Sequence, residues 1–181
     1  MRILKDDTIA LIIDIQEKLA PVIYQSEQIV HNTSILIRGL NALEVPMIVT
    51  HQYTKGLGMT VPQIREVFGD KFTYSDKSAF SCMDDDNIRK LIEDSGKKNV
   101  LLCGMEAHIC VLQTAIDLKE KGYNVYLVQD CIGSRREYDM TVALQRAIYE
   151  GIGLTTYESI LFELTRVSGT ETFKTISKLI K

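Results

Sequence analysis

Cys110 stands where a thiol can be turned into a nucleophile. The apolar run Val100-Leu-Leu-Cys103 stops at Gly104, and Ile109, Leu112, Ala115, Ile116 and Leu118 then recur at helical intervals. This spacing predicts a buried strand followed by a helix, with Cys110 in the helix's first turn. Unpaired N–H groups and the helix dipole favour an anion there. A thiol so placed can have its pKa lowered, and the thiolate is the attacking species. Most free cysteines are simply small buried residues, so Cys110 needs partners before it means chemistry.

An acid and an amine supply them. Thr8-Ile-Ala-Leu-Ile-Ile-Asp14 is an apolar run ending in a carboxylate, and Asp14 can take the proton from Cys110 as a general base. Lys77, in Tyr74-Ser-Asp-Lys-Ser-Ala-Phe80, would hold Asp14 ionised and favour the thiolate if it lay near both. Read singly, Asp14 is equally a strand-end acid bonded to nearby backbone, and Lys77 a solvated surface lysine.

The elements that must bring them together alternate. The run Thr8–Asp14 suits a central strand covered on both faces. Ser26 can cap a helix reaching about Leu43, which Val45-Pro46 ends. Met47–His51 reads as the second strand, and Gln52 to Lys77 as a long, glycine-containing connection with little periodicity, of a length that is often functional. Asp84-Asp85-Asp86 precedes a helix closed by Gly96. Asn99–Cys103 and Asn124–Asp130 are the third and fourth strands. A helix from about Glu137 to Glu150, a short strand near Leu154 and a helix near Thr170–Leu179 follow. The expected fold is α/β: a three-layer Rossmann-like sandwich, with a mostly parallel central sheet and helices on both faces. The 181 residues read as one domain, 1–181. In such a sheet ligands bind beyond the carboxyl ends of the strands. Asp14, His51, Gly104 and Asp130 close the four strands there, so Asp14 and Cys110 can meet.

Composition narrows the partners. A net charge of −3 lacks the basic footprint of a nucleic-acid binder. No apolar run is long enough to span a bilayer, and the first residues show no signal-peptide pattern, so a cytosolic location is expected. The four cysteines, Cys82, Cys103, Cys110 and Cys131, have no C-x-x-C spacing. His31, His51 and His108 have no metal-ligand spacing. Dinucleotide, P-loop and G-x-S-x-G patterns are missing.

Three segments, Ile12-Ile-Asp-Ile-Gln16, Lys77-Ser-Ala-Phe80 and Cys103-Gly-Met-Glu-Ala-His-Ile-Cys-Val111, together resemble the isochorismatase-like cysteine hydrolase superfamily. The segments stand in the family's order and at its separations, and the likeness spans nearly the whole chain. Gln52-Tyr-Thr-Lys-Gly-Leu-Gly58 with Thr60-Val-Pro62 is most similar to the small branch of isochorismatase-domain proteins. The resemblance implies a triad of Asp14 as base, Lys77 as its charged partner and Cys110 as nucleophile. It implies a cis peptide between Met105 and Glu106, with the N–H groups of Glu106 and Cys110 forming an oxyanion hole. By position, Gln16, Tyr53, Phe80 and His108 would line the substrate pocket. Nicotinamidases of the superfamily hold a metal through an Asp-x-His segment, but here the region reads Thr50-His-Gln-Tyr-Thr-Lys55. The expectation is a site without metal or cofactor, acting on a small amide, carbamate or related acyl substrate, in a homo-oligomer. Two other readings stay open: a catalytically silent scaffold or regulatory binding protein, and a redox sensor pairing Cys103 with Cys110.

Overall fold

The computed structural model describes residues 2–181. Six strands form one sheet: β1 (Thr8–Ile13), β2 (Met47–Gln52), β3 (Ser75–Lys77), β4 (Asn99–Met105), β5 (Asn124–Gly133) and β6 (Gly153–Thr155). Their order is β3-β2-β1-β4-β5-β6, and every pairing is parallel. The α/β sandwich expected from the alternating pattern is the architecture found. β1 and β4 are buried along their whole length, as continuous apolar runs in a sheet covered on both faces must be. The two edges, β3 and β6, are three residues each, short enough to limit pairing with another chain.

The helices are α1 (Ser26–Ala42), α2 (Thr54–Leu57), α3 (Pro62–Phe68), α4 (Asp86–Asp94), α5 (Leu112–Glu120), α6 (Glu137–Tyr149), α7 (Tyr157–Thr165) and α8 (Glu171–Ile180). α1, α7 and α8 pack on one another, and α5 packs on α6. Among the described residues no helix is long and apolar enough to cross a membrane. Asp85 caps α4, accepting hydrogen bonds from the Asn87 and Ile88 N–H groups, so these acids serve a helix start.

The structure corrects several boundaries. Ser26 is the first residue of α1 rather than its cap; Gln25, with φ 55°, precedes it and no side chain caps the helix. The connection from Gln52 to Lys77 holds α2, α3 and the edge strand β3, whose short polar sequences carry no clear period. α7 was not expected at all. β5 continues beyond Asp130 to Gly133, because its pairing with β4 jumps from Leu102↔Leu127 to Gly104↔Ile132. Asp130 sits in the extra residues of that irregularity and turns to α7, its Oδ1 accepting the Tyr157 N–H at 2.9 Å. It anchors the first residue of α7 to β5.

β1 and β4 lie at the point where the strand order reverses, where ligands bind in sheets of this kind. Gly104 makes their approach possible. It has φ +135°, and a Cβ there would lie 2.0 Å from the Ile13 carbonyl oxygen, a contact no side-chain-bearing residue tolerates.

Candidate active site

Asp14 follows β1 directly. Its backbone turns into the left-handed region at φ 54°. Oδ1 accepts from Thr50 Oγ1 at 2.7 Å, and Oδ2 from Lys77 Nζ at 2.7 Å. Neither Asp14 nor Lys77 exposes any side-chain surface. A buried ion pair persists only when its remaining donors and acceptors are satisfied, and here they are.

Lys77 ends β3 and reaches Asp14 from across β2. Its ammonium also donates to Gln52 Oε1 at 2.7 Å and to the carbonyls of Ala79 and Phe80, each at 3.2 Å. All four partners are acceptors, so the protonated amine is the form the cage fits. Burial alone would pull the Lys77 pKa down, but the Asp14 carboxylate and its hydrogen bond outweigh it and leave the pKa raised. Gln52 is turned the right way by its own contacts. Its Nε2 donates to Ser78 O at 2.9 Å, so Oε1 faces the amine.

Cys110 comes to the same place from β4. The chain leaves β4 through a cis peptide between Met105 and Glu106, then forms a π-turn over Ala107–Val111 before α5 begins. Cys110 is therefore in an irregular turn rather than the first turn of a regular α-helix. It is buried, and its thiol is near enough to Asp14 and Lys77 for both charges to act on it. Burial first, and Asp14's negative charge second, push the thiol up to about 12, with Lys77 opposing. The thiolate expected from the helix-start argument is thus not the resting form. Desolvation and a like charge outweigh the dipole.

The remaining residues divide. His108 lies in the π-turn, with Nδ1 2.9 Å from Ser134 Oγ. The Glu106 carboxylate accepts from Arg135 Nε at 2.7 Å. Tyr53 has φ 41°, and its N–H donates to Lys77 O at 3.0 Å. Its ring and that of Phe80 are largely exposed, on neighbouring segments that lead out of β2 and β3. Gln16 does not face a pocket. It is fully buried, its Nε2 donates to the carbonyls of Gln52 and Gly58, and its Oε1 accepts the Gln52 N–H. It ties the end of β2 to the following loop, and so fixes Gln52 under Lys77.

His51 is also structural. Its Nε2 accepts the Thr60 N–H at 3.1 Å and lies 2.6 Å from Thr60 Oγ1, while Nδ1 is 3.2 Å from Thr54 Oγ1. The ring stacks on Tyr74 at 3.9 Å, and burial lowers its pKa. Both nitrogens are spoken for, which leaves neither for a metal. Among the described residues no group of three His, Cys, Asp or Glu could hold one.

Of the other thiols, Cys103 donates to Leu11 O at 3.6 Å inside the sheet, where burial pushes it up to about 12. Cys82 lies closer to the chemistry than the sequence suggested. Its N–H bonds Thr114 Oγ1 at 2.9 Å, one helical turn beyond Cys110, and it feels both Lys77 and Asp14. Thr50, Gln52 and Cys82 are the site residues that sequence reasoning missed. Thr50 and Gln52 owe their place to the β1–β2–β3 register and Cys82 to the packing of the turn after β3 on α5, neither of which a local pattern encodes.

Comparison with known proteins puts this geometry in a family. The isochorismatase domain model matches residues 8–159. The secreted isochorismatase effector of Phytophthora sojae is 37% identical over 183 residues, covering 99% of this chain and 87% of that one. The solved structure of MAR1 ribonuclease from Caenorhabditis elegans is 37% identical with a TM-score of 0.93, covering 99% and 92%. The YcaC gene product of Escherichia coli shares the fold at a TM-score of 0.93 and 24% identity, covering 99% and 89%. The domain match and the length of these alignments show that the chain belongs to the isochorismatase family, with its hydrolase-like α/β fold.

Proposed function

We propose that the chain is a metal-independent cysteine hydrolase for a small amide, carbamate or related acyl substrate. The observation that carries this reading is the buried Asp14 carboxylate, held by Lys77 and Thr50, with the buried Cys110 thiol within reach of its charge. As Cys110 Sγ attacks the acyl carbon, Asp14 takes the thiol proton; the S–C bond forms while the carbonyl becomes an oxyanion. The N–H groups of Glu106 and Cys110, beside the turn out of β4, are the donors assigned to that oxyanion. Collapse breaks the C–N bond, and the amine leaves with the proton from Asp14. Water then attacks the acyl-enzyme with Asp14 again accepting the proton; the C–S bond breaks and the thiol is restored. The sum is amide plus water giving acid plus amine. Lys77 holds the Asp14 carboxylate in place and stabilises negative charge on sulfur as it develops.

Intact-mass analysis during turnover of an amide and ester panel tests this. An acyl adduct on Cys110, lost together with turnover in Cys110→Ala, is the expected result. No turnover on any member of the panel, with no adduct, favours a scaffold that keeps the fold without chemistry. The ribonuclease activity in the name of the C. elegans neighbour draws less support. The chain carries a net charge of −3, and Lys77, the cation at the centre of the site, is sealed from solvent. Self-association belongs to the same reading, since E. coli YcaC is described as an octameric hydrolase.

A further inference from the structure

α6 has a face that its own chain does not cover. Ala143 and Ala147 are buried against the rest of the fold. On the opposite side Tyr138 is 76% exposed, Val142 44% and Tyr149 88%. With the exposed Gln145 between them, these residues recur at intervals of four, three and four, the pattern of an a/d seam between two helices. Asp139 and Arg146 flank this seam on one side, seven residues apart. Among the described residues Asp139 makes no ion pair. Arg146 makes only a loose one with Glu150, at 3.6 Å.

We propose that this face of α6 is a self-association seam, closed by α6 of a second copy of this chain running antiparallel across a twofold axis. The proposal rests on the reading above that the chain self-associates, and adds the surface and its register. The charges single out a second copy. Antiparallel pairing sets Tyr138 against the partner's Tyr149 and Val142 against the partner's Gln145. It brings Asp139 beside the partner's Arg146, and symmetry repeats the ion pair at the other end. Parallel pairing would instead set the flank that carries Asp139 and Arg146 against the partner's opposite flank, which holds Thr141 and Ile148 and offers no charge to pair. At about 1.5 Å per residue the seam is about 17 Å long, and one helix pair of that length buries less than the roughly 1,600 Å² of a standard interface. Association through it is therefore concentration-dependent, with dissociation in roughly the micromolar range.

Sedimentation equilibrium on the purified full chain tests the proposal. The wild type forms dimers or larger even-numbered assemblies, and Tyr138→Lys with Tyr149→Lys halves the mass. Asp139→Arg alone and Arg146→Asp alone also halve it, whereas the two together restore it. All these positions are exposed or flank the seam, and circular dichroism checks that each variant is folded. A wild type that stays monomeric throughout the micromolar range overturns self-association and the seam together. An oligomer whose mass ignores every variant overturns the seam and leaves self-association standing. Dissociation by each single charge reversal without rescue by the pair overturns the antiparallel register.

Discussion

Lys77 Nζ and Asp14 Oδ2 lie 2.7 Å apart with both side chains wholly buried, joining the edge strand β3 to the central strand β1 across β2. The pair is useful because it is expensive. Removing one member leaves the other charge uncompensated in the interior, a loss of about 3–5 kcal/mol. Lys77→Met should cost that much in urea denaturation, far more than any exposed lysine change. The pH dependence has a definite sign. The folded pKa of Lys77 is raised above its ordinary value of 10.5, so its contribution is complete below that value and lost as pH rises through the folded one. Stability of the wild type should fall above pH 10.5, and Lys77→Met should remove that part of the alkaline slope.

Acidity and activity should separate at Asp14. Its negative charge is one of the causes that raise the Cys110 thiol to about 12. Asp14→Asn removes that charge and leaves Lys77 to favour the thiolate, so Cys110 ionises at lower pH while turnover disappears with the base. Thiolate absorbance against pH, with Cys110→Ala as the blank, reads the first effect. A midpoint unmoved by Asp14→Asn would mean that the carboxylate and thiol do not interact.

Most of the sheet was legible because β1 and β4 are uninterrupted apolar runs, which only a doubly covered strand requires. The glycine after the third apolar run and the helical spacing beyond it located Cys110 at the correct sheet edge. What was not legible came from tertiary register. Ser75-Asp-Lys77 is polar and becomes a strand only by pairing with β2, so nothing local said that Lys77 is buried. α7 follows β6 after Thr156 alone, whose side chain caps it by accepting from the Ser159 N–H, and so short a junction leaves no loop signal to separate the two elements. The acidity of Cys110 was misjudged for a physical reason: the helix-start argument counts local dipoles and omits desolvation.

Gln52 offers a test of how finely the ammonium is shared. It is a positioning residue, since it acts on Asp14 only through Lys77, accepting at 2.7 Å, the same distance as the carboxylate. Gln52→Leu removes a hydrogen bond to a charged group, a loss of about 1.5–3 kcal/mol. Gln52→Glu keeps the acceptor but adds a second negative charge on the same amine. Less of the ammonium's field then reaches Cys110, and its ionisation midpoint should rise above the wild-type value. A purely structural glutamine would lower stability in both variants and leave that midpoint alone.

Gly104 sets the limit on substitution at the strand crossing. At φ +135°, and with the Ile13 carbonyl 2.0 Å from any added Cβ, Gly104→Ala must force β1 and β4 apart where Asp14 and the turn to Cys110 begin. Strained backbone and a backbone clash act together, so the expected loss is more than about 4 kcal/mol, at the far end of single-substitution effects. Gly69→Ala is the control, because Gly69 has positive φ, 55°, but open space around its Cβ position. It should show only the conformational cost of about 1 kcal/mol. Thermal midpoints for the two variants separate the contributions. Equal losses would mean that the approach of β4 to Ile13 is not the constraint that shapes the cleft.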